Sequence, residues 1–376
     1  MHVVMILTNP YRPDPRVQKE AKSLANNGYT VTIVCWDRQG EYPKIENIDG
    51  INIQRIYIRS EYKLGNRQII YLPQFWLRVI KLLDEFEPDI IHCHDLDTAP
   101  IGIYIKNQKK VPWIFDAHEC YPEQMKHQVG VIIYKILKIL EKIAIRSARF
   151  TITINELLAH RFQNKSDKVV IVENYFPVTD LSLPLRVTRE EIAISNNKLL
   201  VMYIGGLTSG RALIPLIEST NITDIHQVII AGDGSEADNI KHAVSKYPNS
   251  KYIGWIPFDL VPDYFALADV IYYGLYANNK NNKFSSPNTL FLAMNAGKPI
   301  LTTNIGEIAQ IVMRQKCGLI INSATKYTIA EALQLLDSEE VRKELGNNGR
   351  NSVKAQYNWG KSEEKLLAAY KEIGKY

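Results

Sequence analysis

Residues 199–206 read LLVMYIGG and run straight into LTSGRALIPLIEST at 207–220. An apolar run that ends in a glycine pair and gives way to a helical pattern reads as strand, loop and helix. The rhythm continues downstream in QVIIAG, KYIG, DVIYYG, KPILTT and GLII, with helical patterns between them. Upstream, before residue 180, the same alternation appears in VVMILT, TVTIVC, INIQRI, DIIHC, PWIF, FTITI and KVVIV. Short β-branched strands separated by amphipathic stretches predict parallel sheets with crossover helices. The fold class is therefore α/β, with two doubly wound, Rossmann-like sheets in tandem.

A chain of 376 residues is too long for one ordinary core and suits two domains plus a tail. The break falls between Phe176 and Pro184, where prolines bracket a polar turn-forming segment. This predicts an N-terminal domain over 1–180 and a C-terminal domain over 181–350. Residues 351–376 carry helical spacing without a strand, and they are expected to pack across the cleft between the sheets.

Composition narrows the function. With 46% hydrophobic and 23% charged residues the chain has a globular balance, and a net charge of +5 spread along it does not indicate a nucleic-acid binder. The start, MHVVMILTNP, lacks signal-peptide features, and no window reaches the roughly 18 uncharged apolar residues of a membrane span. Cys35, Cys93, Cys120 and Cys317 are scattered without a metal or disulfide framework, as expected of reduced thiols in the cytoplasm. One local charge bias stands out. Residues 126–168 hold nine Lys/Arg against three Asp/Glu, and Lys135, Lys138, Lys142, Arg146 and Arg149 recur at helical spacing among isoleucines and leucines. A peripheral amphipathic helix and an ordinary core-facing helix both fit that pattern.

Ligands of open parallel sheets bind beyond the carboxyl ends of the strands. Gly205 and Gly206 let backbone amides approach an anion there, and Arg211 can neutralise it. In KFSSPNTLFLAMNAGKPIL, Ser286 is an N-cap type and Pro287 suits the first helical turn, so the amides of Asn288, Thr289 and Leu290 would face a phosphate. The GxG of AGDGSE, Gly232 and Gly234, lacks the full dinucleotide fingerprint and does not imply NAD. In the first half, PWIFDAHE places Asp116, His118 and Glu119 just past a strand, where His118 could donate to a leaving group or a sugar hydroxyl. His92, His94 and Asp95 have a spacing resembling metal ligands, but no remaining shell is evident and no metal is expected.

In order along the chain, TNPYRPDPRVQKEAKSLANNGYTVTIVCWDR, PDIIHCHDLDTAPIGIY, VPWIFDAHECYPE, YIGGLTSGRAL, VIIAGDGSE, DYFALADVIYYG and SSPNTLFLAMNAGKPIL closely resemble the landmarks of glycosyltransferase family 4. The resemblance covers nearly the whole chain. It implies the GT-B fold, a nucleotide-sugar donor held mainly by the C-terminal domain, a glycan or lipid-linked acceptor held mainly by the N-terminal one, retention of anomeric configuration and independence from metal or other cofactors. By position it assigns His118 to the neighbourhood of the donor sugar, Arg211 to the diphosphate and the Asn288 to Leu290 amides to phosphate. It places Asn9, Arg16 and Asp95 on the acceptor side or near the cleft.

One departure is plain. Relatives carry an E-x7-E pattern in this segment, whose second Glu holds the nucleotide ribose; here the two positions are Phe284 and Leu292, and the related Lys is Thr289. The expected function is a retaining glycosyltransferase, with an anionic membrane surface as a further expected partner. The alternatives are a non-catalytic relative that binds a sugar or nucleotide or partners an active transferase, and a sugar-nucleotide epimerase.

Overall fold

Apolar residues on both sides of most strands bury them in two sheets. The protein, described here from a computed structural model, is resolved into elements at all residues except 13, 61–69, 127, 167, 180–183, 193, 194, 196, 278–287, 375 and 376. It divides into unit 1, Met1–Asn174 with Gly360–Tyr376, and unit 2, Tyr175–Trp359.

Unit 1 runs β1 (His2–Leu7), α1 (Pro15–Asn26), β2 (Thr30–Asp37), β3 (Ile45–Ile48), β4 (Ile51–Tyr57), α2 (Leu72–Phe86), β5 (Ile90–His94), α3 (Ala99–Lys109), β6 (Trp113–Ala117), α4 (Tyr121–Met125), α5 (Val131–Ser147), β7 (Phe150–Thr153), α6 (Glu156–Gln163) and β8 (Val169–Ile171). The strand order is β3-β4-β2-β1-β5-β6-β7-β8, with only the β3–β4 pairing antiparallel among those described. Strand order therefore reverses between β1 and β5, the position where open α/β sheets take ligands. One face of this sheet buries Val4, Ile6, Ile91, Cys93, Trp113 and Phe115 with residues of α2, α3, α5 and α6. Because side chains alternate along a strand, His92, His94 and Asp116 project from the opposite face.

Unit 2 runs β9 (Leu199–Ile204), α7 (Leu213–Ser219), β10 (His226–Ala231), α8 (Ala237–Val244), β11 (Ser250–Tyr252), α9 (Val261–Leu267), β12 (Val270–Tyr273), α10 (Asn288–Asn295), β13 (Ile300–Thr303), α11 (Gly306–Gln315), β14 (Gly318–Ile321), α12 (Lys326–Leu335) and α13 (Glu339–Ala355). Its parallel sheet has the order β11-β10-β9-β12-β13-β14 and reverses between β9 and β12. The last helix, α14 (Trp359–Ile373), belongs to unit 1 from Gly360 onward. The structural boundaries thus differ from those read in the sequence. The first division lies at 174/175, residues 351–355 complete α13 of unit 2, and α14 is part of the N-terminal unit rather than a segment of its own.

Glycines fix how the ends of β9 and β10 meet. Gly205 N donates to Ala231 O at 3.1 Å and Leu207 N to Asp233 O at 2.9 Å, so the two loops pack backbone against backbone. Gly232 has φ +133°, and a Cβ there would run into the carbonyl oxygen of Gly205. The GxG pair is a packing device for the β9 loop. Gly232→Ala is expected to destabilise unit 2 by more than about 2 kcal/mol, combining a disfavoured φ with backbone overlap. Denaturant unfolding checks this, and an unchanged midpoint would remove the packing argument.

Candidate active site

Six residues from four elements meet on the polar face of the unit 1 sheet. His94 and Asp116 are direct cross-strand partners of β5 and β6, His92 lies two residues earlier on the same face, and His118 follows β6. Asp116 is completely buried, as are His92 and His94 to within 2%, while His118 is 5% exposed. Asp116 Oδ2 accepts from His118 Nε2, lies 2.8 Å from His94 Nδ1 and is 3.5 Å from His92 Nε2. From α1 comes Glu20, 1% exposed, with Oε2 3.9 Å from His92 Nε2. From α14 comes Tyr370, whose hydroxyl is 2.7 Å from His92 Nδ1.

The charges of this cluster are set by its burial. Desolvation would raise the Asp116 carboxyl, but the His118 charge and the imidazole contacts hold it well below the usual carboxylate range. Burial pushes Glu20 the other way, well above that range, reinforced by the Asp116 charge. His92 and His94 are both lowered, chiefly by desolvation. Burial thus disfavours the charged forms of Glu20, His92 and His94, while Asp116 is held toward its carboxylate.

The loop after β1 is built around Asp14, which caps α1 by accepting from Val17 N at 3.1 Å. Asn9 donates to Asp14 Oδ2 at 2.8 Å and accepts from Tyr11 N at 2.8 Å, so its side chain is spent on holding the turn. Arg16 lies 3.7 Å from Asp95. Asp95 has φ +64° and pairs with Arg16, and the acids that approach the two histidines are Asp116 and Glu20. At the β1/β5 reversal, Thr8 Oγ1 donates to Asp97 Oδ2 at 2.6 Å, and burial followed by the Asp95 charge pushes the Asp97 carboxyl up to about 7. A half-protonated carboxyl there can both donate to and accept from a hydroxyl.

In unit 2, Gly205 is half-buried and Gly206 exposed beyond β9, while Arg211 lies with its guanidinium 4.7 Å from the centre of the Tyr273 ring. The strand-like bridge of Arg211 to Leu275 and the Ala212 N to Gly274 O bond of 3.1 Å attach the 207–212 loop to the end of β12. Helix α10 begins at Asn288, and Thr289 Oγ1 donates to Ile204 O at 3.2 Å, which ties its first turn to the carboxyl end of β9. Gly205, Gly206 and Thr289 are thereby brought to one end of the sheet. Asn288 is exposed and Leu290 is buried. Ser286, Pro287 and Phe284 lie outside the described residues. Leu292 is 8% exposed and forms part of the apolar core of unit 2 with Phe291 and Met294.

Residues 16–178 match the family description "Glycosyltransferase Family 4" and residues 200–338 match "Glycosyl transferases group 1". Over 380 aligned residues the chain is 21% identical to an uncharacterized glycosyltransferase, MJ1607, of Methanocaldococcus jannaschii, covering 93% of this chain and 92% of that one. The chain is a glycosyltransferase of the family 4 type. Its fold is GT-B: it superposes on sucrose-phosphate synthase from Thermosynechococcus elongatus with a TM-score of 0.80 at 18% identity, covering all of both chains. Anabaena HepE in complex with UDP-glucose superposes with a TM-score of 0.74 at 13% identity, covering 99% of this chain and 100% of that one. This chain is accordingly a glycosyltransferase enzyme.

The sequence reading missed Glu20 and Tyr370. Glu20 carried a signal, since it sits on the buried face of α1 with Val17, Ala21 and Leu24, where a charge is out of place. Tyr370 carried none, being 278 residues from His92. The burial of Leu292 generates a test at the position of the lost family acid. Leu292→Glu is expected to lower stability by at least about 2 kcal/mol at pH 7. The new carboxyl would have a folded-state pKa raised above its unfolded value, so the penalty should grow as pH rises through that interval and fade below it. Thermal unfolding at pH 4 and pH 8 measures the trend, and an equal loss at both values would contradict it.

Proposed function

We propose that this enzyme transfers a glycosyl group, with retention and without a metal ion, from a nucleotide sugar to a lipid-linked acceptor at the cytoplasmic face of an anionic membrane. Unit 2 takes the donor diphosphate through Arg211, the amides after β9 and the first turn of α10. Negative charge that builds on a departing diphosphate is stabilised by such donors. Unit 1 supplies His118, and its β1/β5 reversal, with Thr8, Arg16, Asp95 and Asp97, supplies polar groups for the acceptor.

The observation that carries the membrane reading is the orientation of α5. Ile132, Ile136, Ile139 and Ile143 recur on one helical face and are 76, 56, 60 and 45% exposed. Lys135, Lys138, Lys142 and Arg146, all exposed, form the adjacent row. The one acidic residue of the helix, Glu141, is instead 2% exposed and bonded to Arg161 at 3.0 Å and Lys165 at 2.7 Å. The helix faces the core through Ala144 and Ile145, so the isoleucine ridge is a second apolar face left on the surface. An exposed isoleucine ridge beside a basic row is what an anionic bilayer interface solvates, the apolar side chains entering the acyl boundary and the cations meeting headgroups. No helix among the described residues is long and apolar enough to cross a membrane.

Flotation with phosphatidylglycerol vesicles tests this. The parent is expected to float at low salt, more weakly at high salt and hardly at all with phosphatidylcholine, and Ile136→Asp with Ile139→Asp should cut recovery at least about tenfold. No association at low salt, or self-association of α5 in its place, would contradict the membrane reading. For the donor, Arg211→Ala should weaken UDP binding by about ten- to a hundredfold, the worth of a charged hydrogen bond. His118→Ala should lower transfer by on the order of a hundredfold while UDP binds as before. Calorimetric titration and initial rates decide; an Arg211→Ala affinity equal to the parent's removes the diphosphate assignment.

A further inference from the structure

Four buried side chains of unit 1 bring metal-ligating atoms together. Glu20 comes from α1, His92 and His94 from one face of β5 and Asp116 from the position of β6 paired with His94, and one ligand atom of each lies within 4.8 Å of the others. His94 Nδ1 is 2.8 Å and His92 Nε2 3.5 Å from Asp116 Oδ2, while Glu20 Oε2 is 3.9 Å from His92 Nε2. Ligands about 2.0–2.2 Å from a tetrahedral zinc stand roughly 3.3–3.6 Å apart. The separations fall on both sides of that value, so small side-chain shifts would make them equal.

The second observation is what these atoms lack. Glu20 Oε2, His92 Nε2 and His94 Nδ1 have no hydrogen-bond partner among the described residues, and their side chains are at most 2% exposed. A buried polar atom left unpaired is costly, and three of them at one point call for something that takes lone pairs. A divalent cation satisfies all three at once, and its charge balances the Asp116 and Glu20 carboxylates.

We propose that Glu20, His92, His94 and Asp116 bind one structural Zn2+ that ties α1 to the middle of the unit 1 sheet. Two imidazoles with two carboxylates favour zinc over calcium or magnesium, which prefer shells of six or more oxygens. Zinc-bound histidines donate their other ring N–H to a fixed acceptor. With His92 ligating through Nε2, its Nδ1 is held at 2.7 Å by the Tyr370 hydroxyl of α14. The ligating Asp116 is likewise steadied by His118 Nε2, which meets its Oδ2. Sequence spacing offered only His92, His94 and Asp95; the rest of the shell comes from the β5–β6 register and from α1. Four protein ligands close the coordination sphere and leave no position for substrate, so the ion holds the fold and the transfer step proposed above stays free of metal.

Full-length protein, purified without chelator and with any affinity tag removed, is expected to carry about one zinc per chain by plasma mass spectrometry. Stripping with dipicolinate should lower the melting temperature by about 5 °C or more, and Zn2+ alone should restore it. Tyr370→Phe removes only the hydroxyl on His92 Nδ1 and should weaken zinc binding about ten- to a hundredfold in chelator competition. His92→Gln should weaken it further; if that variant fails to fold, Tyr370→Phe decides. Two results would overturn the proposal: no zinc in the purified protein with no change in melting when Zn2+ is added to stripped protein, or parental zinc affinity in Tyr370→Phe and in any folded His92→Gln. Neither zinc content nor melting uses a sugar donor, so the outcome stands apart from the transferase reading.

Discussion

Asp116 is a carboxylate with no exposed surface in the middle of a β-sheet, and unit 1 is arranged around that fact. An isolated charge in such a place would be neutralised or expelled. It survives because β5 delivers two imidazoles on one face, β6 brings His118 round to the same oxygen, and Arg16 lies close by on α1. The neighbouring carboxyl, Glu20, is pushed the other way, its charged form disfavoured by burial and by the Asp116 charge. Helix α14 completes the cover through Tyr370, which explains why the C-terminal helix counts with the N-terminal unit.

A second buried carboxylate, Glu141, governs the outer surface in a comparable way. Bonded to Arg161 and Lys165, it directs one face of α5 inward and leaves the isoleucine ridge and the basic row facing solvent. In unit 2, Leu292 is packed among apolar neighbours at the position where the resemblance to family 4 places an acid, so the donor contacts proposed above are Arg211 and backbone amides.

Much of this was legible in the sequence. Strand runs such as LLVMYI and VVMILT became β9 and β1, because a short run of five or six consecutive apolar residues suits a parallel strand buried on both faces. His118 stood out by its place beyond β6. Its partners did not, since Asp116 reads as one more acid near a strand end, and only the β5–β6 register puts it opposite His94. The spacing of His92, His94 and Asp95 suggested a cluster, but the left-handed backbone at Asp95 sends that side chain to Arg16. Whether α5 turns its isoleucines inward or outward was undecidable from periodicity, because both orientations have the same period. The Glu141 ion pairs, which depend on α6 and the turn after it, settle it.

The measurement closest to the central claim is product analysis. The chain is incubated with UDP- and GDP-sugars and a membrane lipid extract, nucleoside diphosphate release is followed, and the anomeric configuration of the glycosylated lipid is read by NMR. The account predicts release that depends on added lipid and a product with the donor's anomeric configuration. Nucleotide binding with no lipid-dependent release from any donor, or an inverted product, would contradict it.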